Sequence, residues 1–188
     1  KHHRPEIYEA AATYMLLKDY VVYYLTGVKK ADMSIATFSF YFDIYNKCYW
    51  QDMLNAIGVS ESQLPKLCEP CTVAGSLTAD VAEQMGLTTQ TKVNVGTLDH
   101  FAGMVGTGNI HPGGITLSTG TVMALATMSS AEEGKSSGIA MHYGFVPNTY
   151  VMLPVAESGG VSLEWFKRSC MAVDYDTMNA ELAKREPN

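Results

Sequence analysis

An α/β fold is predicted by three features of the sequence. Stretches with apolar residues three and four apart alternate with short runs rich in β-branched and aromatic residues. Glycine follows several of the helical stretches directly, at Gly27, Gly58 and Gly86, where a left-handed residue commonly closes a helix. Residues 115–155 read as strands joined by tight turns. The 188 residues suffice for one large domain, or for one domain and part of another.

The elements follow in order. Between residues 5 and 25, Ala10, Ala11, Tyr14, Leu17, Val21 and Leu25 draw a single stripe, which predicts one helix ended by Gly27. A loop with Asp32 and Ser34 leads to residues 37–45, whose aromatic and β-branched content predicts a strand, with Asn46-Lys47 as turn. Residues 50–57 form a short helix, Ser60 and Gln63 have the spacing of a capping box, and Pro65 stops the turn they start. A second short helix covers residues 77–85, beginning near Thr78 and ending at Gly86. Residues 92–98 are a buried strand that ends at Asp99-His100.

Gly103, Gly106 and Gly108 within residues 101–109 predict a helix packed closely on a neighbouring backbone. His111-Pro112-Gly113-Gly114 then breaks the pattern, which places one domain segment at residues 1–112 and the next at 113–188. Two apolar runs, 115–118 and 122–127, flank Thr119-Gly120-Thr121 as a hairpin. Residues 132–137 are read as a polar surface loop, and residues 139–146 and 150–155 as a strand pair around Pro147-Asn148. Gly159-Gly160 opens a helix through Trp165 and Phe166, and Tyr175, Met178 and Leu182 mark a final amphipathic helix.

Composition excludes several functions. The apolar fraction of 47% beside 17% charged residues is that of a soluble globular protein, and no apolar run approaches the roughly 20 residues that cross a bilayer. The net charge is −6, and no basic block exceeds Lys29-Lys30, so neither nucleic acid nor membrane is expected as a partner. Cys48, Cys68, Cys71 and Cys170 include one Cys-x-x-Cys pair without a second pair at zinc-ribbon spacing, and are read as reduced structural thiols. His2, His3, His111 and His142 lack the spacing of helical metal pairs, so no metal site is assigned to them. With no secretory or transit signal in view, a cytoplasmic location is the default.

Asp99, at the C-terminal end of a predicted strand, stands where open α/β sheets place ligands, and can accept the proton of an attacking hydroxyl. Taken in isolation, the same residue reads first as a cap for the following helix. Thr119-Gly120-Thr121 offers backbone donors and hydroxyls for phosphate oxygens, or is an ordinary tight turn. Gly159-Gly160 before a helix suits phosphate as well, though glycine pairs also occur in plain loops. A hydrolase triad of Asp99, His100 and Ser118 is rejected, because neighbours on an extended strand point to opposite faces and no Gly-x-Ser-x-Gly elbow is present.

Taken together over residues 5–170, these segments resemble the FGGY carbohydrate kinases. Lys18-Asp19-Tyr20 through Leu25-Thr26-Gly27 is similar to the family's helix ending in Leu-Thr-Gly, and Asp32-Met33-Ser34-Ile35-Ala36-Thr37 resembles its Asp-x-Ser-x-Ala-Ser stretch. Leu64-Pro65, Gly75-Ser76-Leu77-Thr78, Ala82, Gly86-Leu87 and Val95-Gly96-Thr97-Leu98-Asp99-His100 follow in family order. The resemblance implies a ribonuclease H-like, actin-like ATPase fold: the second half of the N-terminal domain and the start of the C-terminal one. It also implies ATP-dependent phosphorylation of a sugar or polyol, with Asp99 as catalytic base and Asp99 and His100 on the substrate.

By the same resemblance Gly120, Thr121, Gly160 and Glu164 border ATP, Mg²⁺ helps hold its phosphates, and a homodimer is the candidate assembly. His100 departs from the family's more usual Gln or Asn, Thr37 from its Ser, and Val122 from its Ser or Gly. An N-terminal phosphate hairpin before the first helix and an adenosine-binding glycine motif after Cys170 are not found in these residues. Activity is therefore expected of a complete parent protein. The alternative is a catalytically incomplete binding or regulatory module of the same fold.

Overall fold

A computed structural model of the chain describes residues 1–171 and 173–186. Its first part comprises α1 (Pro5–Ala10), α2 (Leu17–Thr26), β1 (Lys30–Asp32), α3 (Met33–Ala36), β2 (Phe42–Asp43), β3 (Cys48–Tyr49), α4 (Gln51–Ile57), β4 (Lys66–Cys68), β5 (Val73–Ser76), α5 (Ala79–Met85), β6 (Lys92–Asn94) and α6 (Asp99–Gly106). The second part holds β7 (Thr116–Thr119), β8 (Met123–Ser129), α7 (Ala131–Ser137), β9 (Met141–Tyr143), β10 (Tyr150–Met152), β11 (Val155–Ala156), α8 (Gly160–Phe166) and α9 (Tyr175–Leu182).

The first part is built from three strand pairs: β1 with β4 in parallel, β2 with β3 and β5 with β6 antiparallel. The second part has one five-stranded antiparallel sheet around β8, with β7 along one side and β10 and β11 sharing the other. Alternation along β8 turns Ala124, Ala126 and Met128 inward. There they meet Phe101 and Met104 of α6, with Phe145, Val151 and Leu153 completing the core. By packing, α6 thus sides with the sheet that follows it.

Several expected elements differ from those observed. The helix predicted across residues 5–25 is two helices, because Ala11 and Leu16 are extended and the Tyr14 N–H donates to the Gln63 carbonyl at 2.8 Å. The expected stripe is also rotated: α2 buries Asp19 and Val22, while Leu17 and Val21 are exposed. Residues 37–45 are mostly not a strand. Asp32 caps α3, Thr37 and Ser39 hydroxyls return to the Met33 and Ala36 carbonyls, and only Phe42–Asp43 is extended. The aromatics there serve the joint between the two parts, Phe38 stacking on His142 and Phe42 meeting Tyr143 edge-on.

The surface loop expected at residues 132–137 is α7, opened by a capping box between Ser130 and Glu133. Gly103 and Gly106 do not press α6 against another backbone, since an added Cβ at either would meet no atom within 4 Å. The capping box at Ser60, the helices closed by Gly58 and Gly86, and the β7–β8 and β9–β10 pairs stand where expected.

The two parts are also joined through Tyr143, which is fully buried. Its hydroxyl lies 3.0 and 2.9 Å from the two Glu69 carboxylate oxygens and accepts the Asn148 N–H at 3.1 Å. Its own N–H donates to the Thr37 hydroxyl at 3.2 Å.

Candidate active site

The strand expected to deliver Asp99 ends early, at Asn94 in β6, and residues 95–98 cross to α6 as irregular backbone. Gly96 makes the crossing possible: its φ of 74° is a left-handed conformation that a side chain would strain. The segment is held at each step. Val95 N–H donates to the Thr72 carbonyl at 2.9 Å, Gly96 N–H to the Asn94 side chain at 2.6 Å, and Cys71 N–H to the Gly96 carbonyl at 2.8 Å. Leu98 is then the N-cap of α6 and Asp99 its first helical residue.

This placement corrects two expectations. Asp99 is not a cap, since its carboxylate accepts only the adjoining His100 N–H, at 2.7 Å, among the described residues, and its side chain is 87% exposed. Nor do Asp99 and His100 point to opposite faces of a strand: both stand on the first turn of a helix, and both line one cleft with Ser118. A triad still does not form, because His100 Nδ1 is 3.6 Å from Asp99 Oδ1, outside hydrogen-bond reach, and Asp99 is open to solvent.

The cleft has a volume of about 100 Å³ and runs between the first turns of α6 and the face of β7 and β8. Asp99, His100 and Gly103 form one wall, and Thr116, Ser118, Ala124 and Ala126 the other. The facing strands contribute small side chains, which keeps the gap open beside the carboxylate. Ser118 stands two residues before Gly120, so the wall leads to the hairpin tip.

At the tip, Gly120, Thr121 and Gly160 come together. The N–H groups of Gly159 and Gly160 donate to the Thr121 and Gly120 carbonyls at 2.9 and 2.7 Å, and Val161 N–H reaches the Thr121 carbonyl at 3.4 Å. The approach is close enough to require glycine. A Cβ on Gly159 would lie 2.7 Å from the Val122 carbonyl carbon, and one on Gly160 would lie 2.6 Å from the Gly120 oxygen. The first N–H groups of α8 thus hold the hairpin in place. On Gly120 itself the space is open, an added Cβ meeting only the Val122 carbonyl at 4.0 Å, and Thr119 and Thr121 are exposed. Glu164, one turn along α8, is engaged by the Tyr175 hydroxyl and lies 3.8 Å from Lys167.

A buried polar cluster beneath residues 95–98 escaped the sequence reading. Asp32 and Ser34 are fully buried and Asp19 is 1% exposed. The Lys18 ammonium is 3.2 Å from Asp19, pairs closely with Asp32, and donates to the Val95 carbonyl at 2.7 Å. Burial pushes the Asp19 carboxyl up to about 6, against the opposing pull of Lys18. The motif residues Asp32 and Ser34 were visible in sequence, but the Thr97 and Leu98 partners of Ser34 lie more than 60 residues away.

An exposed carboxylate beside a small cleft, facing a strand that ends in an open glycine-threonine turn, can take a proton on one side and hold an anion on the other. Residues 1–106 match the N-terminal domain of the FGGY family of carbohydrate kinases. The chain is 33% identical over 171 residues to the xylulose kinase of Bacillus subtilis (strain 168), covering 90% of this chain and 34% of that protein. Among solved structures, the xyloylose kinase from Brucella ovis superposes with a TM-score of 0.86 at 27% identity, covering 96% of this chain and 37% of the other. The xylulose kinase from Rhodospirillum rubrum gives a TM-score of 0.86 at 24% identity, with 96% and 37% covered. The chain therefore spans about a third of the length of the curated relatives it matches.

Proposed function

Because the chain belongs to the FGGY family of carbohydrate kinases and carries part of its ribonuclease H-like, actin-like ATPase fold, we propose that the complete protein phosphorylates a sugar or polyol hydroxyl from ATP. Xylulose is the first acceptor to test, since similar kinases carry its name. The observation that supports this reading most is the cleft that sets Asp99 and His100 opposite Ser118, on the strand leading to the open turn at Gly120 and Thr121.

In this reading Asp99 is the general base. Its exposed carboxylate accepts the proton of the attacking hydroxyl as that oxygen bonds to phosphorus and the bond to the leaving phosphate breaks. His100, on the same turn, binds a neighbouring hydroxyl of the acceptor. The exposed Thr121 hydroxyl holds a phosphate oxygen, and Gly120, whose own N–H is spent on the Val122 carbonyl at 2.9 Å, contributes the open space beside it. Gly160 acts through the hairpin it anchors, and Glu164 lies further along the nucleotide side. ATP with Mg²⁺ supplies the phosphoryl group and neutralises its charge. Residues 1–112 form the sugar side and 113–188 the nucleotide side, with α6 reaching from the first onto the second.

The test is Asp99→Asn in the full-length protein, assayed for sugar-dependent ADP release across a panel of pentuloses, hexoses and polyols. A fall in kcat of about 10²- to 10⁴-fold with nucleotide binding retained is expected. An unchanged rate refutes the role of Asp99. If no acceptor raises nucleotide turnover in the unsubstituted protein, the kinase reading fails and a binding module takes its place.

A further inference from the structure

We propose that Ser34 is a positioning residue for Asp99, the point through which the buried carboxylate of Asp32 sets where α6 begins; this rests on Asp99 being the base. The Asp99 side chain is largely in solvent, and its one hydrogen bond among the described residues is to the next residue's N–H. Among the described residues no side chain hydrogen-bonds to it, the His100 imidazole standing 3.6 Å away. Its location is therefore inherited from the backbone of residues 95–98, and whatever fixes that backbone fixes the carboxylate.

Ser34 grips this backbone directly. Its hydroxyl makes a close hydrogen bond to Asp32 Oδ1, accepts the Leu98 N–H at 3.1 Å, and lies 2.9 Å from the Thr97 hydroxyl. A serine hydroxyl has one proton and two lone pairs. With the proton given to the carboxylate and one lone pair taken by Leu98, the Thr97 hydroxyl is the donor at the remaining position. Every capacity of the group is used, at a site with no solvent exposure.

Asp32 secures the arrangement from behind. Its Oδ1 also accepts the N–H groups of Ser34 and Ile35 at 3.0 and 3.3 Å, and its Oδ2 pairs with Lys18, which holds the Val95 carbonyl. One buried carboxylate thus controls both ends of the four-residue crossing, through Lys18 at Val95 and through Ser34 at Thr97 and Leu98. Losing the Ser34 hydroxyl frees the N-terminal end of α6, and displacement of a reacting group by about 1 Å costs on the order of 10²-fold in rate.

The experiment uses the full-length protein with xylulose as acceptor at saturating ATP, and compares Ser34→Ala, Thr97→Val, Thr97→Ser, Asp99→Asn and the Ser34→Ala/Asp99→Asn double variant. Ser34→Ala is expected to lower kcat about 10- to 100-fold while KM for ATP holds, and to speed hydrogen exchange over residues 96–103. Thr97→Val, which removes one donor with little change of shape, gives a smaller loss that Thr97→Ser does not. In the Asp99→Asn background, Ser34→Ala should cost nothing further, because it acts through that carboxylate. Should Asp99→Asn be inactive while Ser34→Ala keeps its full kcat, the positioning role is overturned and the base assignment stands. A multiplicative loss in the double variant, or a drop in thermal stability alone with kcat and local exchange unchanged, overturns it too. Wild-type activity of Asp99→Asn defeats the base assignment, and the positioning role with it.

Discussion

Substituting Gly159 by alanine tests how the β7–β8 hairpin is held. The added methyl would sit 2.7, 2.8 and 2.8 Å from the Val122 carbonyl carbon, the Met123 nitrogen and the Val122 oxygen. All three are backbone atoms of the hairpin, so no side chain can swing away to relieve the contact. Restoring ordinary separation requires the tip and α8 to part by several tenths of an ångström, which strains the hydrogen bonds at 2.9 and 2.7 Å from Gly159 and Gly160 to the Thr121 and Gly120 carbonyls. Overpacking of this kind costs about 1–3 kcal/mol of stability, and the displaced tip should weaken nucleotide binding. Gly120→Ala is the control. Its methyl meets only one oxygen, at 4.0 Å, so it should leave thermal stability intact while filling the space assigned to phosphate. Thermal melts and nucleotide titration of the full-length protein decide the matter. If Gly159→Ala melts and binds nucleotide as the unsubstituted protein does, the glycine pair is not what holds the hairpin.

Two further outcomes concern stability. Burial pushes the folded Asp19 carboxyl up to about 6 from an ordinary 3.8, so the folded state binds the proton more tightly than the unfolded one; the contribution of this group to stability is greatest below pH 4 and is lost as pH rises to about 6, by at most ~3 kcal/mol. Denaturant melts of Asp19→Asn should lack that slope, and an unchanged slope assigns it to another group. Tyr143→Phe removes the hydroxyl that bridges Glu69 and the Asn148 N–H, leaves both short of a partner, and should cost about 1–3 kcal/mol. A thermal midpoint equal to that of the unsubstituted protein would show that the bridge is energetically idle.

Elements with local punctuation were legible in the sequence. Gly58 and Gly86 close α4 and α5 in left-handed conformations, Ser60 and Gln63 complete their box, and Gly120 turns β7 into β8 as the glycine at its tip implied. What failed depended on distant partners. No feature near Tyr14 announces that its N–H will pair with Gln63 and divide the first helix. Asp19 is buried beside Lys18 instead of facing solvent, so a hydrophobic stripe led to the wrong face of α2. The α7 helix was the exception, since Ser130 and Glu133 carried a readable capping signal within an otherwise polar stretch. At the site, Asp99, Gly120 and Gly160 were named from sequence, whereas the support given by Ser34 to Leu98 spans 64 residues and needs the fold to be seen.

The packing of Phe101 and Met104 into the core of the second sheet bears on how such a protein can diversify. Asp99 and the Gly120 turn ride on one structural block, while much of the surrounding first part is attached through its own smaller clusters. Changes in those outer surfaces can alter what enters the cleft without altering the spacing between the Asp99 carboxylate and the hairpin. Chemistry and selectivity are thereby left free to drift at different speeds.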